Sequence, residues 1–139
     1  MSKSEAQSGV VNCLGAPWPE DLSAAFIDQL HGQGVTLVGC TGNLTWDDTL
    51  ESIENFEIVK TIVREHPHAY ILRSGLDLER PENHGKVGVL LGLQNPKALS
   101  DSLGLLDAFF DLGLRCLSLA FSENSYYGEG IVDALDAVS

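Results

Sequence analysis

Two short apolar runs with a single helical pattern between them constrain this chain more than any other feature. The first is Val87-Gly88-Val89-Leu90-Leu91-Gly92-Leu93 and the second Gly113-Leu114-Arg115-Cys116-Leu117-Ser118-Leu119. Short runs of branched and small apolar residues, bounded by Gly and polar clusters, are the pattern of strands covered on both faces. With the helical stretch that ends near Phe110 they make a strand-helix-strand unit, which calls for parallel strands and a right-handed crossover. Polar residues follow each run: Gln94-Asn95-Pro96 after the first, and the loop from Ser122 to Gly130 after the second. In α/β enzymes the chemistry sits in the loops after the strands.

The same logic extends towards the N-terminus. Gly9-Val10-Val11-Asn12-Cys13-Leu14-Gly15 and Val35-Thr36-Leu37-Val38-Gly39-Cys40 read as two further strands. Strands are therefore expected near 9–15, 35–40, 87–93 and 114–119, and helices near 19–31, 48–65 and 98–111. Pro19 suits the first turn of a helix, with Glu20 and Asp21 favourable at its positive end and Leu22, Phe26 and Leu30 on one face. The second helix places Leu50, Ile53, Ile58, Ile62 and Val63 near helical spacing, and it must stop before His66-Pro67. Tyr70-Ile71-Leu72-Arg73 fits a strand or a loop equally, and 77–83 fits a turn or a short helix. The chain of 139 residues is expected to form a single domain, preceded by a polar leader over residues 1–8 that is expected to be disordered.

Twenty acidic against eight basic side chains give a net charge of −12, which repels phosphate backbones and anionic lipid surfaces. Neither nucleic acid nor membrane is thus an expected partner. No apolar run approaches the span of a bilayer and the leader has no signal-peptide core, so a cytoplasmic location is expected. Cys13, Cys40 and Cys116 lie in apolar runs without metal-binding spacing and read as reduced core residues.

The histidines offer little by spacing alone. His66 and His68 are of a residue type that can ligate metal, but their place at a helix end favours a polar helix terminus with partial cationic character. His31 and His84 read as lone surface residues, and Asp47, Asp48 and Glu51 as the solvated start of a helix. Asp133 and Asp136 have no assignable partner. Tyr126-Tyr127 in the Gly-rich loop reads as a folded-over lid. No Ser-His-Asp set, no Cys-His set and no phosphate loop is present.

Residues 85–95 (Gly-Lys-Val-Gly-Val-Leu-Leu-Gly-Leu-Gln-Asn) and 105–119 (Leu-Leu-Asp-Ala-Phe-Phe-Asp-Leu-Gly-Leu-Arg-Cys-Leu-Ser-Leu) resemble the third and fourth strands of the membrane (renal) dipeptidase family. The resemblance implies an α/β fold, an incomplete (β/α)8 TIM-type barrel formed by the parallel strands of its N-terminal half. That family is zinc-dependent, with a His-x-Asp pair after the first strand and a Glu after the third serving a two-metal centre. On those positions this chain has Leu14, Ala16 and Gln94. Leu and Ala cannot hold zinc, and a neutral amide holds it far less well than a carboxylate. No metal or other cofactor is therefore expected in this chain.

The loop after the fourth strand is similar to a Tyr-Asn-x-x-Asn-x-x-Gly-x-Gly pattern of bacterial homologues; here it reads Phe121-Ser122-Glu123-Asn124-Ser125-Tyr126-Tyr127-Gly128-Glu129-Gly130. Both glycines match and both asparagines are serine. The resemblance implies a peptide-like small molecule as ligand, with Gln94, Asn95, Ser122, Asn124 and Tyr126 as substrate-binding residues. It implies hydrolysis of dipeptides or a related small amide. The alternatives are metal-free binding of such a ligand and a non-catalytic fragment that self-associates as a homo-oligomer through open strand edges.

Overall fold

Each of the four apolar runs forms a strand, and among the described residues every pairing between strands is parallel. The computed structural model describes residues 9–16, 19–43, 47–100, 102–121, 125 and 127–130. The strands are β1 (Val10–Ala16), β2 (Val35–Thr41), β3 (Ala69–Ile71), β4 (Val87–Leu93) and β5 (Leu114–Leu117). Tyr70-Ile71 thus belongs to a strand, with Arg73 in the loop that follows. In the sheet β1 pairs with β2 and β2 with β4, while both β3 and β5 pair with β4. Along β4, β2 is in register from Leu37 opposite Gly88 to Thr41 opposite Gly92. β3 pairs with Val87 to Val89, and β5 with Leu91 to Leu93. Since a strand has two edges, β3 and β5 share one of them, β3 beside its start and β5 beside its end. The succession β1-β2-β4-β5 is the arc of an incomplete (β/α)8 barrel, as expected, with β3 a short addition.

The helices are α1 (Ala24–Gly32), α2 (Thr49–Glu65), α3 (Leu76–Glu79) and α4 (Gly104–Leu112). α2 matches its expected span because both ends are specified locally. The Asp48 carboxylate accepts from the backbone N–H of Leu50 and Glu51 at 2.8 and 3.0 Å, and the Glu51 carboxylate accepts from the Asp48 N–H at 2.9 Å. At the far end His66, ahead of Pro67, takes an extended conformation. The other two expected helices are each divided. Pro19–Asp21 is a separate 3-10 turn, and α1 starts only after Ser23, whose hydroxyl accepts from the Phe26 N–H at 3.2 Å. Pro96–Leu99 is likewise a 3-10 turn, ended by Ser100 in the left-handed region at φ 49°, so α4 begins at Gly104.

One face of β4 carries the core. Val87, Val89 and Leu91 are fully buried and Leu93 nearly so, in one cluster with Val38 and Cys40 of β2, Ile27 and Leu30 of α1, Val59 and Val63 of α2, and Phe109 of α4. Phe56 of α2 meets Phe109 edge-to-face at 5.6 Å. Burying a side chain of this size stabilises by about 1.5–3 kcal/mol. Gly42, just past β2, makes room for the Phe56 ring, which a Cβ there would overlap.

The packing corrects several expectations. The buried stripe of α2 is Ser52, Phe56, Val59 and Val63; Leu50 and Ile58 point to solvent, because residues two apart on a helix face nearly opposite ways. Cys13 and Cys116 are exposed rather than in the core. Cys40 is buried, and burial with the Asp21 carboxylate pushes its thiol up to about 12. Asp47 is buried rather than solvated, its carboxylate accepting from the Asn55 amide at 2.9 Å. No helix among the described residues is long and apolar enough to cross a membrane.

Candidate functional site

The opposite face of β4 carries Gly88, Leu90 and Gly92, and by alternation Gln94 continues it past the strand end. The register that sets Thr41 opposite Gly92 puts Asn43 opposite Gln94. The last backbone rung between these segments runs from the Gly42 N–H to the Gly92 carbonyl at 2.7 Å. Beyond it a side chain takes over. Asn43 is fully buried; its Oδ1 accepts from the Gln94 N–H at 2.8 Å, while its Nδ2 donates to the Asn95 carbonyl at 3.2 Å and to Asn95 Oδ1 at 3.3 Å. An asparagine side chain has the donor and acceptor of a peptide group, so Asn43 extends the ladder where the backbone of β2 turns away.

The corner is fixed from two more directions. Asn95 Oδ1 also accepts from the Lys97 N–H at 2.9 Å, which opens the 3-10 turn. The Thr49 hydroxyl, at the start of α2, donates to the Ala98 carbonyl in that turn at 2.7 Å. On the other side of β4 the Ser118 N–H donates to the Leu93 carbonyl at 2.9 Å, continuing the β5 pairing. Among the described residues, Gln94 Oε1 and Asn95 Nδ2 are buried side-chain atoms with no hydrogen-bond partner. A buried acceptor or donor left unbonded costs about 1–3 kcal/mol, so this corner carries uncommitted hydrogen-bonding capacity. The capacity on offer is one neutral acceptor and one neutral donor.

That donor set does not fit a two-zinc centre. β1 ends in Leu14-Gly15-Ala16, residue types with no side-chain metal donor, and Gln94 offers a neutral amide oxygen. Among the described residues no group of three or more His, Cys, Asp or Glu side chains is arranged to hold a metal ion.

Of the expected ligand-binding residues the structure brings Gln94 and Asn95 together, and Ser122, Asn124 and Tyr126 lie outside the described residues, as do Asp133 and Asp136. Between Asn124 and Tyr126, Ser125 closes a small turn: its N–H donates to the Gly128 carbonyl at 2.9 Å, and its hydroxyl donates to the Leu119 carbonyl at 2.6 Å. Asn43 is the residue that sequence reasoning missed. Its signal is an amide directly after a glycine at a strand end, and its partners lie more than fifty positions away.

The loop after β3 is organised by Asp77. Its carboxylate accepts from the Arg73 and Ser74 N–H groups at 2.8 Å each, which with nearby Arg80 holds it below the usual carboxylate range. His31, His66 and His68 gather at the other end of the sheet, before β3. His31 is not a lone surface residue, since its ring stacks on that of His68, and neither shares the Gln94 corner.

Comparison with known proteins agrees with this architecture. Residues 40–138 match the profile of the membrane dipeptidase family, peptidase family M19. Among solved structures, the chain is similar to an amidohydrolase from Pseudomonas aeruginosa, with a TM-score of 0.75 and 24% identity over 89% of this chain. The match spans 37% of that protein's chain.

Proposed function

From the premise that the chain belongs to the membrane dipeptidase family, we propose that it is a hydrolase-type homologue whose ligand is a dipeptide or a related small amide. The ligand is held at the strand-end corner through Gln94 and Asn95, with no zinc bound by this segment. The observation that carries the reading is the pair of unpartnered buried atoms, Gln94 Oε1 and Asn95 Nδ2. A peptide group supplies the complement of each, an N–H for the acceptor and a C=O for the donor, and neutral partners need no counter-charge in a buried corner. Asn43 acts here as a positioning residue, since it fixes the backbone of both.

That the structural relative is an amidohydrolase is consistent with chemistry on C–N bonds, and with amide recognition as the shared element. Because this segment corresponds to 37% of that chain, hydrolysis by a complete barrel is part of the proposal. The test uses alanyl-alanine as probe on protein dialysed against chelator. The expected result is dipeptide-induced shifts of the Gln94 and Asn95 amide signals, unchanged by added zinc and lost in Gln94→Met. Zinc retained through dialysis, or shifts that appear only with zinc, would show that the site works through metal.

A further inference from the structure

The N-terminal end of the sheet holds a second polar cluster that takes no part in amide recognition. His31 lies in the last turn of α1, and His66 and His68 flank Pro67 in the turn from α2 into β3. The His31 and His68 rings lie face to face, their centroids 4.2 Å apart and their planes 4° from parallel. His66 meets His68 at 5.9 Å with 61° between the rings. The His66 side chain is only 7% exposed. Its Nδ1 accepts from the His68 backbone N–H at 3.2 Å, so the neutral ring carries its proton on Nε2, which faces Asp28 Oδ1 of α1 at 3.4 Å.

We propose that the His31–His68 stack, braced by His66 and Asp28, is an acid-sensitive latch between the end of α1 and the turn that feeds β3. Two neutral imidazoles stack without penalty, and one protonated ring is accepted over the face of the other. Two protonated rings at 4.2 Å repel and part. The charged groups near this cluster are Asp28 of α1, which faces His66, Arg64 and Glu65 at the end of α2, and Lys86 from the segment before β4. Arg64, Glu65, His66 and Lys86 line one open cleft of about 510 Å³. Arg64 and Lys86 oppose further positive charge while Asp28 and Glu65 favour it. His66 itself responds in both directions, since a proton on Nδ1 forfeits the His68 N–H bond and strengthens the pairing with Asp28. The sign of the device is therefore set by the stacked pair. The latch is closed when these rings are neutral and opens when acidification protonates both.

The test compares the full chain with His31→Phe, which keeps a stacking ring and removes its charge. The expected result is that the unfolding temperature of the unsubstituted chain drops by about 3 °C or more beyond that of His31→Phe between about pH 7.5 and pH 5.5. Carboxylate effects common to both cancel in the difference. The contact between the His31 and His68 rings, followed by NMR in the unsubstituted chain, should be present at about pH 7.5 and lost at about pH 5.5. Equal drops in unfolding temperature, or a ring contact that persists at the lower pH, would overturn the latch. Should His31→Phe not fold, the NMR contact decides alone.

Discussion

The two ends of the sheet treat their polar groups in opposite ways. At the N-terminal end, His66 uses both ring nitrogens, on the His68 N–H and towards Asp28, and the His68 carbonyl accepts from the Val87 N–H at 2.8 Å. At the C-terminal end, Asn43 is fully engaged, yet the two residues it holds in place each keep one buried atom unpartnered. One end spends its hydrogen-bonding capacity on itself and so contributes stability. The other holds its backbone in place while leaving side-chain capacity uncommitted, as the proposed binding role requires.

The contrast breaks down most visibly if Asn43 is dispensable. Asn43→Leu leaves the Gln94 N–H and the Asn95 carbonyl buried without their partner, and a loss of about 3 kcal/mol is expected in denaturant unfolding. A smaller loss than that of a surface substitution would mean that the corner is not held by this amide. Next in size is His66→Ala, which strips the His68 N–H of its acceptor and removes a buried ring at the end that is self-satisfied; a loss of about 1–2 kcal/mol is expected by the same measurement. Smallest, and most telling, is Gln94→Met. Replacing an unbonded buried acceptor by an apolar group of similar volume should leave stability unchanged or raise it by up to about 1 kcal/mol. If Gln94→Met destabilises as much as His66→Ala, Gln94 is committed inside the fold and the two ends do not differ in kind.

How much of this was legible in the sequence depends on range. β1, β2 and β4 were readable because each is a run of apolar residues bounded by Gly or polar clusters, a purely local signal. The α2 boundaries were readable for the same reason, from the acids at its start and Pro67 at its end. The breaks at Ser23 and Ser100 were not, because a single hydroxyl cap and a single left-handed residue interrupt patterns that look continuous over a helical period. β3 spans three residues, too few for any periodicity to show. At the site, Gln94 and Asn95 were found through their place after an apolar run. Asn43 and the His31–His68 stack depend on contacts between distant segments; the glycine before Asn43 marks a strand end, but the local sequence does not say which groups meet there.

The sharing of one edge of β4 by two strands has a consequence for synthesis on the ribosome. β1, β2, β3 and β4 emerge in that order, so β4 can be seated between β2 and β3 as soon as it is made. Its final stretch, Leu91 to Leu93, still lacks a neighbour on that side until Leu114–Leu117 follows. In that interval the nascent protein presents a short, apolar, half-paired edge beside a corner already tied down by Asn43. Such an edge can recruit a wrong strand. α4, with its buried Phe109, is the segment made in between, and its docking on the same sheet can hold the place open for β5.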